Sequence, residues 1–123
     1  MYERLKTRRE FLATATGRKA ARPAFVLQAR KRGDNGPPCF GFTVSKRVAK
    51  SAVERNRIRR RLKEAVRRVA EAHSDSGCDY VLVGRRPALA EPFAELEASL
   101  LGALRQTSAA FAGGAESAEK ASG

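Results

Sequence analysis

The sequence predicts one domain of the α/β or α+β class, and three observations point there. With 123 residues and 42% hydrophobic content, the chain can bury about two-thirds of its unfolded surface around a single core. Two Ser/Thr-x-x-Glu signatures, Thr7 with Glu10 and Ser51 with Glu54, mark helix starts. Between the helical segments lie short runs, 24–30, 39–45 and 79–83, that alternate or are continuously apolar as strands do.

Thr7, Glu10 and a following Gly17 at the C′ position frame a short helix over 8–16. It carries Phe11 beside Arg8, Arg9, Arg18 and Lys19, and the ring there reads equally as an apolar anchor or as a stacking platform for a nucleobase. In 24–30, Phe25, Leu27 and Ala29 alternate with Val26, Gln28 and Arg30, the period of a strand. Segment 31–38 holds Asp34-Asn35-Gly36-Pro37-Pro38, turn chemistry throughout.

In 39–45, Phe40, Phe42 and Val44 define a core face, and Gly41, Thr43 and Ser45 the other. With Gln28, these predict a sheet face too polar to lie under a helix and smooth enough for an extended nucleic-acid strand; a plain solvated face has the same pattern. A long helix from about residue 52 places Ile58, Leu62, Ala65 and Val69 on one stripe. Residues 74–77 break it. The run 79–83 (DYVLV) is apolar on nearly every residue, as in a central or parallel strand, and Gly84-Arg85-Arg86-Pro87 ends it. A last helix over about 92–111 has Pro92 at N1, a stripe of Phe93, Leu96, Leu100, Leu104 and Phe111, and Glu91, Glu95 and Glu97 near its positive end. Residues 1–111 thus form the domain, and 112–123 read as a disordered tail.

The charge is concentrated. Net charge is +12, and 11 of the 25 Lys and Arg fall within 46–68, where Glu54 and Glu64 alone oppose them. A solvated helix would intersperse both signs. Arg outnumbers Lys there by eight to three, and the guanidinium makes bidentate phosphate contacts and stacks on bases. Opposite the apolar stripe lie Asn56, Arg60, Lys63 and Arg67, with Arg57, Arg61 and Arg68 on one flank and Arg55 and Arg59 on the other. The expected partner is a nucleic acid bound with steep salt dependence. An anionic membrane would ask for bulkier apolar residues opposite the charge.

Other chemistries lack their residues. Cys39 and Cys78 stand 39 residues apart with one His in the chain, too few ligands for a thiolate–imidazole metal site. A metal-dependent nuclease needs clustered carboxylates, which are scattered here. The N-terminal segment has no apolar run of a signal peptide, so a cytoplasmic location is expected, without membrane association.

The run Gly41-Phe42-Thr43-Val44-Ser45-Lys46-Arg47, followed by Ala52-Val53-Glu54-Arg55-Asn56-Arg57-Ile58-Arg59-Arg60 and later by Asp79-Tyr80 and Arg85-Arg86-Pro87, resembles the protein component of bacterial ribonuclease P. The hallmark of that family is Ser-Lys-Lys/Arg, then Ala-Val-x-Arg-Asn-Arg-x-Lys/Arg-Arg. The resemblance spans about residues 5–111. It implies an α+β two-layer sandwich with a mixed sheet, in which the basic helix makes a left-handed βαβ crossover between parallel strands, against the usual hand, as in a domain of a small-subunit ribosomal protein.

It also implies a function: assisting a catalytic RNA that removes the 5′ leader of precursor tRNA, with the catalytic centre and its Mg²⁺ belonging mainly to the RNA. The implied partners are ribonuclease P RNA and precursor tRNA, with no obligate protein partner. By position, Lys46, Arg47, Arg57, Arg60, Arg61 and Arg67 would face the catalytic RNA. Phe11, Gln28, Arg55, Asn56 and Arg86 would border a leader groove. Relatives often carry a second aromatic one turn after Phe11, where Ala15 or Thr16 stands, and an aromatic at Gln28, so weaker base stacking is expected. A general RNA-binding or ribosomal-type protein would explain the charge but not the paired motifs.

Overall fold

The structure, a computed structural model, describes residues 2–117, apart from the side chains of 70–72 and 110–117. Its elements are β1 (Glu3–Arg4), α1 (Arg8–Ala15), β2 (Arg18–Ala21), β3 (Phe25–Lys31), β4 (Cys39–Thr43), α2 (Ala52–His73), β5 (Cys78–Gly84), a 3-10 turn (Arg86–Leu89) and α3 (Phe93–Ser117). The five strands form one mixed sheet in the order β1-β4-β5-β3-β2. β4 pairs in parallel with β1 and β5, while β3 pairs antiparallel with β5 and β2. The continuously apolar run is the central strand β5, as its composition demands, and α2 is the crossover that joins it to the parallel β4.

Strand alternation sorts the two faces of the sheet. Phe25, Leu27, Phe40, Tyr80 and Leu82 are buried toward α2 and α3, where they meet Ile58, Leu62 and Val66 of α2 and Leu96, Leu100 and Leu104 of α3. Each such large apolar side chain stabilises the fold by about 1.5–3 kcal/mol on full burial. Tyr80 stacks on Phe40 with ring centroids 4.8 Å apart, and its hydroxyl accepts the Asp75 N–H at 2.9 Å. Burial pushes the Tyr80 phenol pKa well up, so the hydroxyl stays neutral.

The opposite face departs from expectation. Gly41 and Val81 are buried there, and α1 packs over β3 and β5 with Thr14 inward. A helix can cover this polar face because Gly41 removes the side chain that would hold the helix off. Gly17 has a related role: it has no positive φ, but a Cβ there would lie 2.1 Å from the Ala29 carbonyl oxygen, so its use is close approach of the turn between α1 and β2 to β3.

Three further features escaped the periodicity. β1 and β2 are too short, at two and four residues, to show a pattern. α3 runs through Gly113 and Gly114 to Ser117, beyond the expected helix over 92–111: the surrounding alanines are the best helix formers and offset about 1 kcal/mol per glycine. Residues 118–123 and the side chain of Phe111 lie outside the described residues. Finally, Asp79 is buried in β5 and accepts from Arg30 and Arg32, both at 2.7 Å. Arg32 also pairs with Asp34 and donates to the Pro37 and Cys78 carbonyls, which fixes the 31–38 loop to the sheet. The pKa of Arg32 is pushed up, first by Asp34 and then by Asp79.

Candidate nucleic-acid interface

Helix α2 is fastened at its N-terminal end. Ser51 Oγ accepts the N–H of Val53 at 3.1 Å and of Glu54 at 3.3 Å. The Glu54 carboxylate does not complete the box; it meets Arg86 at 3.3 and 3.4 Å instead. Arg55 turns back along the helix start and donates to the Ala49 and Lys50 carbonyls at 2.9 and 2.8 Å. Two of the residues expected at a leader groove, Arg55 and Arg86, therefore sit at the N-terminal end of α2, where they fasten the 45–50 loop.

The remaining cations of α2 fall on three surfaces. The crest opposite the core carries Arg57 and Arg60, both exposed, together with Val53, which is 77% exposed. Lys46 and Arg47 are exposed on the loop leading in. Arg67 is exposed too, but its guanidinium binds Glu64, which Arg68 also contacts at 3.1 Å.

The flank toward α3 is structural. Arg61 donates to the Glu91 carbonyl, and its guanidinium lies 5.8 Å from the Phe93 ring centroid, with that of Arg68 at 5.2 Å. Of the six residues expected to face the catalytic RNA, Arg61 is thus committed to α3.

The third flank opens a cleft. Arg59 and Lys63 reach past the edge of β4 toward Phe11, and with Phe42 and Arg4 they line a cavity of about 110 Å³. Lys63 Nζ lies 6.0 Å from the Phe42 ring centroid. The same two cations, with Asn56, Arg60 and Val53, border a wider concavity of about 460 Å³ on the crest. Asn56 Oδ1 accepts from Arg59 at 2.8 Å, leaving its amide donors to the concavity. Phe11 is half-buried over Gly41, both packed and open to the cleft. Gln28 lies in the same cross-strand row, Gly41–Val81–Gln28–Lys19, but beyond the cavity lining.

Sequence reasoning placed Phe11 in the cleft and Asn56 on the adjoining concavity, and missed Arg4, Arg59 and Lys63. The position of Arg59 on one flank of the helix was the available signal; Arg4 gave none. Cleft and concavity, sharing Arg59 and Lys63, together present a ring, a strip of guanidinium and ammonium groups and an amide. Such a set neutralises phosphates and stacks a base. Among the described residues no group of three His, Cys, Asp or Glu could hold a metal ion, and no helix is long and apolar enough to cross a membrane.

Fold and site together define an α+β protein that presents a strongly cationic helix face beside an adjoining cleft, the chemistry of a polyanion binder. Comparison with known proteins narrows this. A family model described as Ribonuclease P matches residues 1–108, and the chain belongs to that family. It is 50% identical over 105 residues to the ribonuclease P protein component of Gluconacetobacter diazotrophicus, covering 85% of this chain and 86% of the relative. It is 45% identical over 112 residues to that of Paramagnetospirillum magneticum, covering 87% and 84%. Among solved structures, the ribonuclease P protein from Thermotoga maritima superposes with a TM-score of 0.71 at 28% identity, covering 85% of this chain and 96% of that one. The Staphylococcus aureus protein gives 0.68 at 26%, covering 83% and 92%.

Proposed function

We propose that this chain is the protein subunit of a ribonuclease P holoenzyme, binding the catalytic RNA on the crest of α2 and the 5′ leader of precursor tRNA in the cleft. The observation that carries the reading is the shared wall: Arg59 and Lys63 border both the crest concavity and the Phe11 cleft. One strip of positive charge thereby screens two RNAs from each other where they approach. Lys46, Arg47, Arg57 and Arg60 supply phosphate contacts to the catalytic RNA. Phe11, Asn56, Arg59 and Lys63 supply ring, amide and charge to the leader.

Catalysis in this reading belongs to the RNA, which also holds the Mg²⁺. Among the described residues no three His, Cys, Asp or Glu side chains gather to hold such an ion, and the part of the protein in this reading is electrostatic. Its place of work is the cytoplasm, with newly transcribed tRNA.

Cleavage of a precursor tRNA at low Mg²⁺ tests this with three mixtures: protein alone, catalytic RNA alone, and both. Correct 5′ maturation only with both is expected. Cleavage by RNA-free protein would overturn the reading. Within the active mixture, Phe11→Ala should weaken leader-bearing substrate by about 1–3 kcal/mol if the ring stacks on a base, and spare leaderless tRNA.

A further inference from the structure

A second cationic surface lies at the other edge of the sheet. β2 is the edge strand there, three strand spacings from β4, on the order of 14 Å. Arg18 and Lys19 on β2 are exposed, as are Arg85 after β5 and Arg105 on α3. Arg22 is held in place by donating to the Ala21 carbonyl at 2.8 Å and to Gln106 Oε1 at 3.0 Å, and Arg85 donates to the Arg22 carbonyl at 3.4 Å. A shallow concavity of about 370 Å³ lies beside these groups, lined by Gly17, Arg18, Lys19, Gln106 and Thr107.

Among the described residues, none of these five cations makes an ion pair, whereas Arg30, Arg32, Arg67, Arg68 and Arg86 all do. Charge on an edge strand deters strand addition, which accounts for Arg18 and Lys19. It does not account for Arg22, Arg85 and Arg105, which lie off the strand. Ordering a guanidinium at Arg22 beside four unneutralised cations costs free energy in the isolated protein, and a polyanion recovers it.

We infer that this edge is a second RNA-backbone contact, holding phosphates of an RNA segment distinct from those on α2 and in the cleft. The concavity offers charge and amide donors, and no ring among its lining residues, so it reads backbone rather than base identity. The inference rests on the RNA-binding reading above for the identity of the polyanion. Two RNAs could supply the phosphates, the catalytic RNA or the body of the tRNA, and they present the same chemistry.

The test compares Arg18→Ala/Arg105→Ala with Ala94→Glu/Ala98→Glu, which lowers net charge equally on the exposed side of the first turns of α3. Affinity is measured against salt in two arms: protein titrated onto catalytic RNA, and reconstituted holoenzyme titrated onto leaderless tRNA. Loss of two phosphate contacts should lower the slope of log affinity against log salt by about 1.4–1.8, at about 0.7–0.9 per phosphate, in the arm whose RNA is touched. The Ala94/Ala98 variant should keep the wild-type slope, and Arg18→Lys/Arg105→Lys should restore it. Equal change in both charge-lowering variants, or no change in either arm, overturns the inference. A wild-type protein whose affinity for catalytic RNA ignores salt would instead sink the RNA-binding reading itself.

Discussion

Phe11 lies so close over Gly41 that a Cβ at position 41 would stand 2.4 Å from Phe11 Cζ and 3.1 Å from Leu5 Cδ1. The ring is thereby set by the backbone beneath it. Gly41→Ala should tilt Phe11 out of the cleft and cost about 1–3 kcal/mol of stability, the range for overpacking. Denaturant unfolding reads the stability, and binding of leader-bearing against leaderless tRNA reads the ring. An unchanged melting midpoint with unchanged leader discrimination would mean that the ring turns aside freely.

Neighbouring arginines of α2 should separate by role. Arg61→Ala loses the bond to the Glu91 carbonyl and the contact with Phe93, so it should lower stability by about 1–2 kcal/mol. Arg60→Ala should leave stability unchanged and flatten the salt dependence of catalytic-RNA binding by about 0.7–0.9. The reverse assignment of the two effects would show that Arg61 leaves α3 to reach RNA.

Glu54 neutralises Arg86 at the start of α2. Glu54→Gln frees that guanidinium, and RNA affinity should rise, with a salt slope steeper by about 0.7–0.9 if Arg86 then meets a phosphate. The exposed pair itself contributes about 0–1 kcal/mol, so thermal stability should barely move. Weaker RNA binding by this variant would make the pair a scaffold for the interface.

Hydrogen bonds from Arg67 and then Arg68 bring the Glu64 carboxyl from 4.5 down to about 2. Because the folded pKa lies below the unfolded one, this stabilisation is present above about pH 4.5 and is lost as pH falls toward about 2. Glu64→Gln should therefore melt below the wild type at neutral pH, and the two melting temperatures should converge across that window. A gap that stays constant with pH would assign the difference to something other than the carboxylate.

Much of the fold was written in local patterns. The Thr7–Glu10 box, the alternation of Phe25, Leu27 and Ala29 and the apolar run of β5 each carry their own signal and appear as expected. What stayed hidden depends on contacts distant in sequence. Glu54 looks like half of a capping box until Arg86, 32 residues on, takes its carboxylate. Arg61 looks like its neighbours until α3 brings Phe93 beneath it. Gly41 advertised a smooth sheet face, and the structure uses that smoothness to seat a helix. Phe11 in the cleft and Asn56 on the crest concavity were legible because their residue types differ from the surrounding cations; Arg59 and Lys63 were hidden among like residues.

β1 ends after Arg4, and its two residues pair with Cys39 and Phe40, so among the described residues the rest of β4 has no strand on that side. The chain stops there because the Thr7 and Lys6 N–H groups turn to the Glu10 carboxylate, whose pKa they lower. A helix-start signal thus fixes where the sheet is left unfinished, and the cleft lined by Phe42 opens there. Evolution could widen or shut this doorway by moving one threonine along the chain, without touching any residue that lines it.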